Sequence, residues 1–334
     1  MGERFNQILR KFNGFMIDMM LSSKRGRRLF SSLAEPYIAG HSLEQALQNV
    51  DADSKKSRLS TIDILGEAAT TIERSDEYMA TYIELINLVS GYNENRPTIS
   101  VKPTAICAVD KTHMHSLKET PLIDRLGQLA EHSTKRDVNL TLDMEDHNWT
   151  DVSLDAAQEL WRSGYENLGI VLQSRLHRTA NDIKERLKDA HYDLDKSDIR
   201  VRACIGIYDE PKDVAVTTKK AAKERLVSMV DDLFNTGVYV EIATHDHRAL
   251  NRIIDEIIIR KGIPKERFEF QFLKGVHNAY SIEQRLMDSG YKVRYYMPFE
   301  INDGDGIPYL QRRLTANPGM VFSAMKNMMQ RRFL

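Results

Sequence analysis

Cysteine is scarce in this sequence, since only Cys107 and Cys204 occur among 334 residues. Two cysteines are too few for a disulfide scaffold or a zinc cluster, and such scarcity is typical of a reducing compartment. No signal peptide is visible, so we expect a cytoplasmic protein. A basic excess is also missing, because the net charge is −1 and the isoelectric point is about 6.8. This charge balance argues against a nucleic-acid partner.

Long hydrophobic runs are missing as well. The apolar run at 15–21 (FMIDMML) is interrupted by Asp18 and is too short to span a bilayer. The basic cluster at 24–28 (KRGRR) follows it. This arrangement fits a weak peripheral contact with the anionic inner face of a membrane. It fits equally well an N-terminal helix that packs on the main domain.

Short apolar segments that favour strands alternate with longer amphipathic segments that favour helices. Residues 1–55 are polar and predict an N-terminal helical segment, while the alternation predicts a second domain at 56–334. Seven helical segments separate the strands, and an eighth is predicted at Pro308–Thr315. The strand candidates are Ser60–Leu65, Thr98–Lys102, Asn139–Met144, Leu168–Gln173, Arg200–Ile205, Tyr239–Ala243, Glu269–Leu273 and Lys292–Met297.

The repeated strand–helix order predicts an α/β fold with parallel strands and right-handed crossovers. Eight units in this length match a closed (β/α)₈ barrel. An open doubly wound sheet is the alternative. It is disfavoured because no Gly-x-Gly-x-x-Gly turn follows any strand candidate.

Polar side chains end nearly every predicted strand. In this fold, active sites form at the carboxyl ends of the strands, so these residues are candidates for a site. Gln173 and Thr244 each have a second explanation, since either side chain suits the cap of the following helix. The strand-end residues are Asp63, Lys102, Asp143, Gln173, Arg202 with Gly206, Thr244 with His245, Leu273 and Tyr296.

A pair of arginines ends the barrel pattern. Pro308 suits the first turn of a helix, and Tyr309 then lies three and four residues before Arg312 and Arg313. All three side chains therefore project to one side of a short helix. Two guanidinium groups together can clamp a carboxylate. A solvated basic turn at the end of a helix is the alternative explanation.

An ordered set of segments across residues 58–317 resembles the proline dehydrogenase family, including the proline-oxidising domain of proline utilisation A. The resemblance implies a distorted (β/α)₈ barrel with its last helix over the barrel mouth. It also implies FAD bound without a Rossmann domain, and oxidation of L-proline to Δ1-pyrroline-5-carboxylate with electrons passed to a quinone or another acceptor. The matching segments are Asp63–Ala68, Ile99–Lys102, Leu140–Asp143, Leu172–Gln173, Arg202–Tyr208, Ala243–His245, Phe268–Leu273, Arg294–Pro298 and Tyr309–Asn317.

The same resemblance assigns roles to individual residues. It implies that Arg312, Arg313 and Lys102 bind the substrate carboxylate, and that Glu67 acts as a gate holding the first arginine closed. It implies that Asp143 and Arg202 are the catalytic pair. The apolar wall against the substrate ring would be formed by Leu273, Tyr296 and Tyr309. The implied flavin contacts are Gln173, Arg202, Thr244 and His245, with backbone from Met144, Cys204, Ile205 and Gly206.

Three positions depart from the family pattern. Ile205 stands where a cation is expected, Ile207 is bulkier than the usual residue, and Ala316 replaces a glutamate. These departures keep open a relative that oxidises another cyclic amino acid in a biosynthetic pathway. A non-catalytic ligand-binding barrel is a third hypothesis. We expect no metal site, since the resemblance makes His245 a flavin contact. The oligomeric state is left open.

Overall fold

A computed structural model describes residues 14–15, 17–27, 30, 35–66, 68–108, 121–188, 195–276, 280–302 and 304–316. Eight parallel strands form a closed barrel in which each strand pairs with the next and β8 pairs with β1. This confirms the predicted (β/α)₈ architecture. The strands are β1 (Leu59–Leu65), β2 (Thr98–Val101), β3 (Leu140–Leu142), β4 (Leu168–Gln173), β5 (Arg200–Cys204), β6 (Tyr239–Ala243), β7 (Phe268–Leu273) and β8 (Val293–Glu300).

Helices surround the barrel, and polar side chains cap several of them. Ser42, Thr71 and Thr218 each accept a hydrogen bond from a backbone N–H in the first turn of the helix that follows. The helices are α1 (Leu43–Ser54), α2 (Ile72–Val89), α3 (Pro103–Ile106), α4 (Leu122–Thr134), α5 (Thr150–Arg162), α6 (Thr179–Ile183), α7 (Lys219–Phe234), α8 (His247–Arg252), α9 (Tyr280–Asp288) and α10 (Ile307–Ala316). Two of them, α6 and α8, continue as π-helical turns at Lys184–Lys188 and Ile253–Ile259.

Apolar and polar residues alternate along β5, and this alternation sorts them between two layers. Val201 and Ala203 are fully buried in the hydrophobic layer between barrel and helices. Arg200 and Arg202 point into the barrel interior. Arg202 on β5 reaches across this interior to Ser100 on β2. A period of two along a strand produces this division.

The barrel interior is consequently ionic where most barrels of this type carry Val, Ile and Leu. Arg294 donates to both oxygens of Glu269, at 2.5 and 3.0 Å. Arg200 donates to Glu241 at 2.7 Å and lies 3.1 Å from Glu269. Burial alone would raise the pKa of Glu269, but the two arginines hold it well below its usual range. Removing one member of such a network costs about 3–5 kcal/mol, because its partner is left as an uncompensated buried charge.

Helix α10 lies at the carboxyl end of β1, as predicted for the last helix. Tyr309, Leu310 and Leu314 form a second hydrophobic cluster with Leu65, the last residue of β1, and with Ile17 of the N-terminal segment. Helix α1 instead contributes Ala46 and Val50 to the main cluster of the barrel. The division of the chain at residue 55 stays a prediction.

Candidate active site

The two arginines of α10 lie beside aromatic rings at the barrel mouth. The Arg313 guanidinium carbon is 4.8 Å from the centre of the Tyr309 ring, and that of Arg312 is 5.5 Å from the Tyr208 ring. Tyr208 belongs to the loop after β5. Burial, and then the positive charge of Arg313, lowers the pKa of His245 to about 3. The structure therefore brings the arginine pair to the ends of β5 and β6.

The α10 helix is held at its start and at its middle by side chains from elsewhere in the fold. Gly306, which precedes it, donates its N–H to Glu300 at 3.0 Å. Gln311 donates to Asp18 of the N-terminal segment at 2.7 Å. These contacts fix the register in which the helix presents Arg312 and Arg313 to the mouth.

Asp143, Arg202 and Tyr296 form the central polar cluster. Arg202 Nη1 and the Tyr296 hydroxyl each donate to a different oxygen of Asp143, at 2.6 Å. The Arg202 guanidinium carbon lies 5.3 Å from the centre of the Tyr296 ring. Burial and the neighbouring Asp143 carboxylate raise the pKa of Tyr296 well above its usual value. Tyr296 is thus a neutral hydroxyl donor whose proton is directed at Asp143.

Lys102, directly after β2, forms a buried ion pair with Asp63, which lies near the end of the adjacent strand β1. Its Nζ also lies 3.4 Å from the carbonyl oxygen of Ile64. The Lys102 side chain is only 5% exposed, and that of Asp63 is fully buried. A buried lysine that is ion-paired in this way is held as a fixed cation on the β1–β2 side of the mouth.

The ends of β4 and β5 hold a second polar group. Gln173 uses both amide hydrogens, since Nε2 donates to the carbonyl oxygens of Met144 (3.3 Å) and Glu145 (2.7 Å). Its Oε1 is buried and has no partner within the described part of the chain. Gly206 approaches this oxygen closely with φ at +90°, and a Cβ there would lie 2.3 Å from it. Only glycine suits both the conformation and the contact.

His245 has a defined tautomer. Its Nε2 accepts a hydrogen bond from the backbone N–H of Leu273 at 2.9 Å, and the ring is neutral at physiological pH. The remaining proton is therefore on Nδ1. That atom is buried and unpaired with respect to the residues described. His245 is therefore a hydrogen-bond donor for which the described residues supply no acceptor.

Other predicted flavin contacts already form hydrogen bonds with residues of this chain. The hydroxyl of Thr244 accepts from Asp246 N–H at 3.2 Å, and Asp246 in turn caps α8. The carbonyls of Cys204 and Ile205 accept from Ser174 N–H (2.8 Å) and Arg175 N–H (3.2 Å). Glu67, the predicted gate, lies outside the described residues.

Sequence reasoning missed three residues that contact Arg202. They are Ser100 (3.0 Å to Nη1), Gln271 (2.7 Å to Nε) and Glu241 (3.4 Å to Nε). A signal was available, because polar residues alternate with apolar ones in β6 (YVEIA) and β7 (FEFQFL). Such alternation in a strand covered by helices indicates a polar interior face.

A closed barrel with ionised and unpaired polar groups gathered at its carboxyl mouth defines the class of protein. It is a (β/α)₈ barrel of the enzyme type, in which the chemistry takes place at that end. A family model described as Proline dehydrogenase matches residues 46–324. The chain belongs to the proline dehydrogenase family, a family of oxidoreductases.

Individual relatives agree with this assignment. The chain is 30% identical over 296 residues to a proline dehydrogenase of Deinococcus radiodurans, covering 87% of this chain and 88% of that relative. It is 26% identical over 298 residues to proline dehydrogenase 1 of Bacillus subtilis, covering 89% and 91%. A solved structure of proline utilization A from Bdellovibrio bacteriovorus, inactivated by N-propargylglycine, superimposes with a TM-score of 0.75 at 25% identity. That match covers 85% of this chain and 33% of the other, so this chain spans about a third of it.

Proposed function

We propose that the protein oxidises L-proline to Δ1-pyrroline-5-carboxylate with FAD, and passes the electrons to a quinone or another acceptor. The observation that carries the proposal is a set of three buried polar atoms on or directly after the consecutive strands β4, β5 and β6. Gln173 Oε1, Arg202 Nη2 and His245 Nδ1 have no protein partner in the described ranges. Buried polar groups are nearly always hydrogen-bonded, so a bound ligand or an ordered water has to satisfy these atoms, and their shared location favours one ligand.

The polarity of these three atoms fits the flavin ring system. Gln173 offers an acceptor, whereas Arg202 and His245 offer donors. An isoalloxazine ring has one N–H flanked by carbonyl oxygens, together with further nitrogen acceptors, and so complements one acceptor and two donors. Gly206 leaves room beside Gln173 for a planar group to approach. When bound, FAD supplies the hydride acceptor, while the protein supplies orientation and electrostatics.

The proposed substrate site faces this set of atoms. Arg312 and Arg313 would bind the proline carboxylate, with Lys102 on the far side of the mouth. Tyr309 and Leu273 would pack on the apolar ring. Oxidation removes a hydride from the ring carbon beside the nitrogen and a proton from the nitrogen itself. The main contribution of these residues is to hold that carbon–hydrogen bond in a reactive position.

The Asp143–Tyr296 contact favours unsubstituted proline over a hydroxylated ring. The Tyr296 hydroxyl is already committed to Asp143 at 2.6 Å. A hydroxyl group on the substrate ring would need a hydrogen-bonding partner near Tyr296, and the Tyr296 hydroxyl already donates its proton to Asp143. The alternative, a related cyclic amino acid, is tested by a substrate panel. We expect L-proline to be the best substrate and ring-hydroxylated proline to react much more slowly.

Transfer of electrons to a quinone requires access to a membrane, and one surface suits this. Phe15 and Met19 are 66% and 52% exposed and precede the basic residues Lys24, Arg25 and Arg27. None of the helices in the described part is long and apolar enough to cross a membrane. We therefore propose peripheral contact through this surface. Co-sedimentation with anionic vesicles should weaken in Phe15→Asp, but not in the matched variant Ile259→Asp, whose exposed side chain lies at the end of the π-helical turn that follows α8.

Two measurements test the proposed function. The purified protein should carry about one FAD per chain, seen as flavin absorbance after release by denaturation. Turnover with L-proline and an artificial electron acceptor should produce an imine that forms a coloured adduct with o-aminobenzaldehyde. A colourless protein that cannot be reconstituted with FAD would support the non-catalytic barrel instead.

A further inference from the structure

Arg202 is held on nearly every side by the barrel interior. Its Nε donates to Gln271 at 2.7 Å, and its Nη1 donates to Ser100 (3.0 Å) and Asp143 (2.6 Å). Burial lowers the pKa of Arg202, but the carboxylates of Asp143 and Glu241 outweigh it, so the group stays charged. Nη2 alone is left over, buried and with no acceptor in the described structure. The charge of Arg202 is therefore fixed in position, with one donor remaining for a ligand.

The Gln271 side chain can adopt only one orientation. Its Nε2 donates to Glu269 Oε1 at 2.7 Å, and Glu269 is itself held by Arg294. The opposite orientation would place the NH₂ group against the Arg202 N–H and the carbonyl oxygen against a carboxylate. Glu269 therefore directs the Gln271 carbonyl at Arg202. This supplies a neutral acceptor and leaves the positive charge of Arg202 intact.

Glu241, unlike Gln271, carries a negative charge that offsets part of the positive charge of Arg202. It pairs in register with Arg202 on the neighbouring strand and is fully buried. One oxygen accepts from Arg200 at 2.7 Å, and the other lies 3.4 Å from Arg202 Nε without forming a hydrogen bond. This oxygen is close enough to offset part of the Arg202 charge. Glu241 and Gln271 thus flank the same guanidinium, one with a charge and one without.

We propose that Glu241 and Gln271 are positioning residues that set the charge Arg202 presents to the flavin, and thereby set the flavin reduction potential. The inference rests on the proposed FAD site. A cation beside a reduced flavin stabilises its negative charge, because electrostatic effects are strong in a buried site. Changing the charge on either flanking residue should therefore shift the potential in a direction fixed by the sign of the change.

The test uses two substitutions of opposite sign in the FAD-loaded protein. Glu241→Gln removes a negative charge beside Arg202 and should raise the potential. Gln271→Glu adds a carboxyl group beside Glu269 Oε1, so the potential is measured at a pH at which both carboxyls are ionised, where it should be lower. Each should change the equilibrium constant for flavin reduction about tenfold, which is about 30 mV for a two-electron couple. The potential is measured by equilibration with reference dyes, and substrate turnover is not needed.

A matched control separates electrostatics from general loss of a buried carboxylate. Glu283→Gln makes the same chemical change at a carboxylate that is 1% exposed and accepts from the Tyr295 hydroxyl. Glu283 also lies near Arg58, which precedes β1 at the opposite end of the barrel. We expect no shift in potential for this variant. A neutral variant, Gln271→Met, should change the potential less than Gln271→Glu.

Opposite shifts in Glu241→Gln and Gln271→Glu, with no shift in Glu283→Gln, would support the proposal. Shifts of the same sign, or none, in flavin-loaded variants would overturn it. If Glu241→Gln cannot hold FAD, the contrast between Gln271→Glu and Gln271→Met decides the question. The proposal would also be overturned if Glu283→Gln kept FAD while Glu241→Gln, Gln271→Glu and Gln271→Met all lost it. Glu241 and Gln271 would then only maintain the structure of the flavin pocket. Absence of FAD from the wild-type protein would refute the proposed function instead.

Discussion

The hydrogen bond between Tyr296 and Asp143 should couple two residues of the site energetically. Tyr296→Phe removes the hydroxyl and keeps the ring beside Arg202. Asp143→Asn removes the charge and nearly preserves the shape. The asparagine oxygen can still accept from Arg202, but its NH₂ group then faces Tyr296. The two substitutions together form a double-mutant cycle on a contact of 2.6 Å.

The expected magnitude follows from the burial of this contact. The Asp143 side chain is 13% exposed, so solvent screens the bond only weakly. A hydrogen bond to a charged group contributes about 1.5–3 kcal/mol. The combined loss in kcat/KM should therefore be smaller than the product of the two single losses, by a factor of about 10 to 150.

The assay is kcat/KM for L-proline with an artificial electron acceptor, with FAD content and far-UV circular dichroism checked for every variant. A cycle that includes Arg202→Lys in place of Tyr296→Phe should also couple to Asp143, since Arg202 donates to the other oxygen. Independent effects of Tyr296→Phe and Asp143→Asn would show that their contact has no part in the reaction.

Three further predictions concern the mouth. Arg313→Met should mainly raise KM, because substrate binding loses on the order of 2–5 kcal/mol of free energy, and its FAD content should be unchanged. An unchanged KM would show that the carboxylate is recognised elsewhere. Gly206→Ala should lose FAD, because its Cβ would lie 2.3 Å from Gln173 Oε1; full FAD occupancy would show that the flavin is held elsewhere. Burial lowers the pKa of His245 from 6.5 to about 3, so below pH 6.5 the unfolded chain binds a proton that the native state does not. Stability in urea should be complete above pH 6.5 and fall by about 2 kcal/mol by pH 5; His245→Gln should lack this component, and equal losses in both proteins would disprove the assignment.

The order of strands and helices could be predicted from the sequence because each element has a local cause. The period of two along β5 and the helical period along α7 are visible without any knowledge of distant contacts. Boundaries were less accurate. The structure shortens β3 to Leu140–Leu142 and extends β8 through Pro298 to Glu300. The extension is stabilised from outside the strand, because Ala39 donates its N–H to the Pro298 carbonyl at 2.6 Å.

The partners within the site could not be predicted in the same way. Arg202 on β5 meets Ser100 on β2 and Gln271 on β7 only because the sheet closes into a barrel. Ser100 and Gln271 are 102 and 69 residues away from Arg202 along the chain. Local pattern carries no information about which inward-facing side chains meet across such distances. The resemblance supplied the candidates Lys102 and Asp143, and the structure supplies the ion pairs that each of them forms.

Anaerobic mixing of the oxidised protein with L-proline is the most direct test of whether its flavin oxidises proline. We predict that the flavin absorbance bleaches, that D-proline bleaches it much more slowly, and that ring-oxygen analogues of proline compete without reducing it. A flavin that stays oxidised with L-proline but bleaches with another cyclic amino acid would contradict the proposed substrate while leaving the family assignment intact. A flavin that no cyclic amino acid reduces would contradict the proposed reaction.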